Sequence, residues 1–193
     1  MTHLPGLLRR RGALQWLDTD AGAVIALPRS LEAEWSGIEP PRGRVIPPDQ
    51  ATCRMEPAQP ATDYDRVCSI PDGVALLPLG EHRVLVVGGV PLPTAWQADP
   101  DGGGVFVQLF TSETGDLPDA LPAFPASLSW EEVGTFDAPD DTLVMMDSTD
   151  VGRDPPLYPR VTIAIAPGRY RVAYAHFAHP DMQLELVRIL PAT

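Results

Sequence analysis

Lysine and asparagine are absent from this chain of 193 residues, and only two cysteines are present. All 14 basic residues are arginines, a bias that indicates a GC-rich coding sequence and predicts a bacterial origin. Two cysteines do not make a disulfide framework, and Cys53 and Cys68 lack the Cys-x-x-Cys spacing of redox and zinc sites. We therefore expect both thiols to be reduced and structural.

Long apolar segments are missing as well. An apolar run such as residues 84–87 is far shorter than the roughly 20 residues of a membrane-spanning helix. Near the N-terminus, the arginines at 9–11 are followed by an acid at Asp18 instead of the apolar stretch of a secretory signal. These absences predict no membrane segment and no export, and hence a cytoplasmic protein.

Positive charge is scarce. The chain has 26 acidic residues against 14 basic ones, a net charge of −12. A protein of that sign repels the phosphate backbone, so it is not expected to bind nucleic acid. The apolar content of 44% is typical of a globular domain with its own core, which excludes a wholly disordered chain.

Helices have little room among 23 prolines and 16 glycines. Other segments are apolar or alternate with a period of two, as β-strands do: residues 14–17, 23–27, 74–79, 83–87, 105–110, 143–146, 161–165, 170–177 and 184–190. They predict a mainly β fold, that is α+β with few short helices. We expect an antiparallel, sandwich-like or strongly curved sheet in a single domain over 1–193.

Local signals refine this prediction. The turn at residues 166–169 predicts a hairpin between the strands on either side of it. Short helices are predicted at residues 30–35, where Ser30 provides a cap, and at 129–133. Residues 38–60 are dense in proline and have no clear period, which predicts an irregular connection.

Catalytic and metal-binding patterns are weak. Asp99, Asp101 and Gly104 resemble the start of a calcium-binding loop, but Phe110 stands where its bidentate carboxylate belongs, so a hairpin turn is favoured. His176 and His179 have the i, i+3 spacing of a helix within a segment that reads as a strand end. With no Gly-x-Ser-x-Gly elbow and no cofactor loop either, we expect no enzyme, no cofactor and no metal site.

The densest polar cluster is Thr62-Asp63-Tyr64-Asp65-Arg66-Val67-Cys68. If this segment is extended, Tyr64 and Arg66 share one side, and both residue types dominate interface hot spots. The structural alternative is that Arg66 pairs with an acid of the same chain and that Tyr64 packs one edge into the core. Both interpretations remain open at this point.

Taken in order, the motifs resemble the immunity protein 21 family, predicted antidotes encoded beside toxins in bacterial polymorphic toxin systems. The resemblance covers about residues 14–190 and rests on the order of short matches: Trp16, Leu27-Pro28, Trp35-Ser36-Gly37, residues 63–68, residues 84–88 with Pro91 and Thr94, residues 103–110, Asp147-Ser148 and residues 168–172. The family pattern carries acids where this chain has Gly89 and Val90, and a tryptophan near Phe110.

The resemblance implies a cytoplasmic immunity protein that binds and neutralises a co-encoded toxin, with no catalytic residue to carry over. A net charge of −12 suits a basic toxin domain, whose active surface it would be steered to and cover. Candidate toxin-binding residues are Trp35, Asp63, Tyr64, Asp65, Arg66, Trp96, Asp147, Asp150, Tyr158 and Tyr174.

Two alternatives remain. One is a hydrolase on a β scaffold, using buried acids or the region of His176 and His179. The other is a β-sandwich that binds a small ligand or a sugar, with Trp35, Trp96 or Trp130 as stacking platforms.

Overall fold

The computed structural model describes residues 8–11, 14–50, 61–70, 73–100, 102–112 and 115–192. The strands within these ranges are β1 (Leu8–Arg11), β2 (Leu14–Leu17), β3 (Val24–Pro28), β4 (Ala75–Leu79), β5 (His82–Val86), β6 (Thr94–Ala98), β7 (Gly104–Ser112), β8 (Glu131–Ala138), β9 (Thr142–Asp147), β10 (Val161–Ala164), β11 (Gly168–His179) and β12 (Met182–Pro191). The helices are short: two 3₁₀ helices, Arg29–Glu34 and Pro48–Gln50, and α1 (Asp63–Cys68).

The strands form two antiparallel sheets. The seven-stranded sheet has the order β1-β2-β6-β7-β12-β11-β8, and the five-stranded sheet has the order β10-β9-β3-β5-β4. Their facing sides share one core, to which Phe106 and Tyr170 contribute from the larger sheet and Leu85 and Met145 from the smaller. The mainly β, antiparallel, single-domain prediction is confirmed, and of the two shapes considered the structure has the sandwich.

Both sheets are also covered on their outer faces. Leu31, Trp35 and Val67 lie over the five-stranded sheet, and Leu121 and Phe124 from the connection between β7 and β8 lie over the seven-stranded sheet. Because strands covered on both faces have no solvent side, they need not alternate in polarity. This explains why β3 is buried at every position.

The predicted strand segments all overlap observed strands, whereas β1, β6 and β8 were not predicted. The hairpin across residues 166–169 was wrong: β10 pairs with β9 in the smaller sheet, and β11 pairs with β8 and β12 in the larger one. The chain therefore crosses between the sheets at this turn. A period of two predicts a strand but contains no information about its partner.

The helix predicted at residues 30–35 is confirmed by the 3₁₀ helix Arg29–Glu34, but Ser30 does not cap it: the helix begins after Pro28, without a side-chain cap. The helix predicted at 129–133 was wrong. Residues from Glu131 onward belong to β8, an edge strand held by its pairing with β11. Tertiary hydrogen bonds thus outweigh the weak local helical preference of five residues. Within the described ranges, the structure contains no helix of the length and apolar character required to cross a membrane.

The irregular connection at 38–60 is described only up to residue 50. This part includes one turn of 3₁₀ helix, Pro48–Gln50. Cys53 lies outside the described residues. Cys68 is exposed at the end of α1, which is not the position expected of a structural thiol in the core.

Candidate functional site

Three sequence motifs that are far apart along the chain meet at the outer face of the five-stranded sheet. The indole Nε1 of Trp35 donates a hydrogen bond of 3.1 Å to the carbonyl of Ser148. The backbone N–H of Tyr64 donates to the carbonyl of Gly37 at 3.0 Å, and that of Ile38 donates to the carbonyl of Thr149 at 3.2 Å. We refer to residues 35–38, 63–66 and 147–150 as the motif cluster.

Gly37 is required where these segments touch. Its φ is +54°, a conformation that side chains with a Cβ rarely adopt. A Cβ at this position would also collide with the carbonyl oxygens of Thr149 and Asp150. The Trp-Ser-Gly motif therefore combines a buried anchor, Trp35, with a turn that allows close backbone contact.

Helix α1 begins with a capping box. The backbone N–H of Asp65 donates to Thr62 Oγ1 at 3.1 Å, and the backbone N–H of Thr62 donates to Asp65 Oδ2 at 2.7 Å. The segment is thus helical, not extended as considered from the sequence. Helical spacing brings Asp63 and Arg66 to the same side, where both are buried.

Asp63 is the centre of the charge network in the motif cluster. It is fully buried and accepts hydrogen bonds from the backbone N–H of Ser36 at 2.9 Å and from Ser36 Oγ at 2.7 Å. Arg66 donates to it at 3.1 Å, and Arg44 forms a further ion pair with it. Burial alone would raise the pKa of Asp63, but the hydrogen bonds from Arg44 and Ser36 outweigh it and bring the pKa below 3.8.

Asp147 and Asp150 organise the neighbouring loop. Asp147 accepts hydrogen bonds from the backbone N–H groups of Gly22 at 3.1 Å and Thr149 at 2.8 Å. Asp150 lies 3.6 Å from the Nε of Arg160. Burial is the largest influence on both carboxyls and raises the pKa of each above 3.8. These contacts hold β9 and the loop that follows it to the rest of the domain.

The structure separates the ten candidate residues into three groups. Five are buried within the motif cluster, at no more than 3% exposure: Trp35, Asp63, Arg66, Asp147 and Asp150. Three are half-buried, Tyr64 and Asp65 within the motif cluster and Tyr158 beside it. Trp96 and Tyr174 lie elsewhere, on β6 and β11. For the buried five, the structural alternative is favoured, because their contacts within the chain leave no surface for a partner.

Trp96 packs against Phe106, with ring centroids 4.7 Å apart. Tyr174 instead borders an open cleft of about 710 Å³ on the inner face of the seven-stranded sheet. We call this the acidic cleft. The residues used below are Val90, Phe110, Glu131, Glu132, Tyr174 and Glu185.

Strand register places the residues of the acidic cleft. Glu185 on β12 lies opposite His176 on β11, and Tyr174 lies opposite Glu131 on β8. Tyr174 OH is hydrogen-bonded to His176 Nε2 at 2.7 Å, and that nitrogen is 4.0 Å from Glu185 Oε1. Glu131 and Glu132 from β8 and Glu185 from β12 thus lie at the same opening.

Two β-bulges border the same cleft. In the β7–β12 ladder, Thr111 pairs with Gln183 and Leu109 with Leu184, so Phe110 is the extra residue. In the β8–β11 ladder the extra residue is Val133. Bulges redirect side chains and are frequent beside functional sites. Here one bulge leaves Phe110 at 53% exposure at the edge of the cleft.

Sequence reasoning missed the glutamates of the cleft because it followed recognisable motifs. A usable signal was present at Glu185, which with Arg188 is one of two charged residues in the mainly apolar segment of residues 184–190. Glu131 and Glu132 were instead assigned to a helix.

The metal site and the sugar platforms considered from the sequence receive no support from geometry. In the part of the chain that is described, no three His, Cys, Asp or Glu side chains are grouped so as to hold a metal ion. Among the proposed sugar platforms, Trp35 is buried, and the guanidinium of Arg188 lies 4.1 Å above the ring centroid of Trp130.

Architecture and site together define a two-sheet antiparallel β protein with a buried charge network and an open acidic cleft. Residues 15–183 match the family model described as immunity protein 21. Because this match covers most of the chain, the protein belongs to the immunity protein 21 family. No curated protein and no solved structure matches the chain significantly.

Proposed function

We propose that the protein binds a toxin encoded beside it in a bacterial polymorphic toxin system and neutralises that toxin in the cytoplasm. The observation that carries this proposal is the family match over residues 15–183. Neutralisation is proposed to act by binding alone, without catalysis, cofactor, nucleic acid or membrane.

Electrostatics support a basic toxin domain as the partner. The net charge is −12, and opposite charge on a partner accelerates association and orients the encounter. Charges at the edge of an interface contribute little affinity by themselves, so desolvated anchors must provide the rest. By covering the basic surface with which such a toxin holds its substrate, the protein would block activity.

The candidate residues have two proposed roles. The buried members of the motif cluster are proposed to support the toxin-binding surface from below. Truncating one of them would leave a buried charge or a cavity beneath that surface. Tyr64, Asp65 and Tyr158 are half-buried and remain candidates for direct contact.

The test is co-expression with the toxin domain encoded beside the gene. We expect growth to be restored, a stoichiometric complex on gel filtration, and an affinity that falls about tenfold or more between low and high salt because exposed charges are screened. An unrelated acidic protein of similar net charge is the control and is expected to give no protection. Growth arrest that persists despite expression of both proteins would contradict the proposal.

A further inference from the structure

We infer that the acidic cleft is the site at which a basic side chain of the partner, an arginine or a lysine carried on a loop, is bound. This inference rests on the proposed function and adds to it the location of the contact and the chemistry of the residue that is recognised.

The charge of the cleft is unbalanced. Glu131, Glu132 and Glu185 line it, against one histidine, His176, whose Nε2 lies 4.0 Å from Glu185 Oε1; among the described residues no arginine lines it. In the motif cluster, by contrast, Asp63 is paired with both Arg44 and Arg66. Three carboxylates at one opening outnumber the single imidazole and repel one another, and a bound guanidinium or ammonium group reduces that repulsion.

The apolar part of the cleft matches the stem of such a side chain. Phe110 is 53% exposed and Val90 is 49% exposed, and both lie at the same opening as the glutamates. Arginine and lysine bury their aliphatic stems on apolar surface while the charged end stays beside carboxylates. The rings of Phe110 and Tyr174 offer additional attraction to a cation.

The backbone is shaped to present these groups. Both irregularities in the ladders that flank the opening fall at residues lining it, Phe110 and Val133. Regular pairing would keep the alternation of β7, and the bulge instead exposes a large apolar ring. A volume of about 710 Å³ lies within the range of about 300–1,000 Å³ typical of ligand pockets, so a loop tip with its basic side chain fits.

A buried acceptor lies below the cleft. Gln108 pairs in register with Glu185, is completely buried and donates to Thr94 Oγ1 at 3.1 Å. Its amide oxygen has no hydrogen-bond partner among the described residues and lies against Gly88, next to the cleft residue Gly89. An unpartnered carbonyl oxygen adds to the negative potential that favours a cation.

The experiment compares two triple variants that change net charge equally. Binding to the toxin domain encoded beside the gene is measured by calorimetry. The cleft variant carries Glu131→Gln, Glu132→Gln and Glu185→Gln; the control carries Glu81→Gln, Asp119→Asn and Asp154→Asn, at exposed positions outside the cleft. We expect Kd to rise about tenfold or more for the cleft variant and less than about threefold for the control.

A second pair of variants tests the apolar contact without changing charge. Phe110→Ala is expected to raise Kd about fivefold or more, whereas Leu157→Ala, which removes a side chain that is 69% exposed outside the cleft, leaves it within about twofold. Thermal unfolding verifies that each variant is folded.

The outcomes separate the inference from the proposed function. If the unmodified protein binds and protects while both cleft variants bind as well as their controls, the inference is overturned and the proposed function stands. If the unmodified protein neither binds nor protects, both are overturned.

Discussion

The motif cluster and the acidic cleft each hold several carboxylates, but the surroundings of those carboxylates differ. Asp63 is completely buried and is contacted by Ser36, Arg44 and Arg66. Glu131 and Glu132 are exposed, and no arginine lines their cleft among the described residues. An acid in a recognisable motif is here buried and paired within the fold, whereas two acids in unremarkable sequence stay exposed to solvent.

This difference has a physical basis. A charge that is removed from water must be paired and hydrogen-bonded, so its neighbours have little freedom to change. An exposed charge places no such demand on nearby residues. Residue patterns that stand out in a sequence can therefore mark internal constraints, and for Arg66 the pairing with an acid of the same chain was one of the two interpretations left open by the sequence.

The largest effect on stability is expected from Asp63→Ala. It leaves Arg66 buried without its partner, and breaking a buried pair in this way costs about 3–5 kcal/mol of the free energy of unfolding. Urea denaturation measures it. Glu131→Gln, the matched control in the cleft, should change the same quantity by less than about 0.5 kcal/mol. Equal effects at the two sites would remove the contrast between the regions.

Gly37→Ala is expected to destabilise the protein by about 2–3 kcal/mol, because it combines an unfavourable backbone conformation with a collision against Thr149 and Asp150. Gly43→Ala is a matched control, since Gly43 has a φ of +73° but no atom within 4 Å of an added Cβ. The control should lose about 1 kcal/mol. Similar melting temperatures for the two variants would indicate that close contact within the motif cluster contributes nothing.

Replacing the three cleft glutamates with glutamine should leave the free energy of unfolding within about 0.5 kcal/mol of its original value per site, while affinity for the toxin falls. Lower affinity with unchanged stability distinguishes the acidic cleft from the motif cluster, where loss of an acid is expected to lower the free energy of unfolding. Chemical denaturation and calorimetry on the same preparation measure both quantities. A cleft variant that unfolds much more easily would indicate a structural role for these glutamates.

The smallest effects concern pH within the motif cluster. The lowered pKa of Asp63 contributes stability above its unfolded pKa, near 3.8, which is lost as the pH falls through the folded pKa. The raised pKa of Asp147 contributes stability below pH 3.8, which is lost as the pH rises through its folded pKa. The stabilities of Asp63→Asn and Asp147→Asn, each relative to the original protein, should therefore change in opposite directions with pH.

Melting temperatures of the two variants and the original protein, measured across this acidic range, test the prediction. The effect is measurable because each unit of pKa shift changes the free energy of unfolding by about 1.4 kcal/mol. Parallel pH profiles for the two variants would show that burial and hydrogen bonding do not act on these carboxyls as the structure indicates.

Local patterns predicted much of the fold. The apolar and alternating segments located most strands, including β3, β11 and β12. The turn between β6 and β7 joins paired strands, as the hairpin turn favoured around Asp99 and Gly104 predicted. Thr62 and Asp65 have the spacing of a capping box, so the start of α1 was also readable, although the extended alternative was the one considered.

The candidate site was less predictable. Strand order decides three features of the site. It buries Trp35 and Asp63, places Trp96 and Tyr174 away from the motif cluster, and groups Glu131 with Glu185. Glu131 and Glu185 meet because β8 and β12 both flank β11. No local signal specifies these neighbours, because pairing between distant strands is decided by the packing of the whole sheet.

The sequence by itself determined the charge, the β content and the turns, because these follow from composition and from the conformational preferences of neighbouring residues. It also contained the ordered motifs that identify the family. Only the tertiary structure decided which acids are paired and which face an open cleft. Desolvation and ion pairing depend on distances between residues far apart in the chain, and folding alone sets those distances.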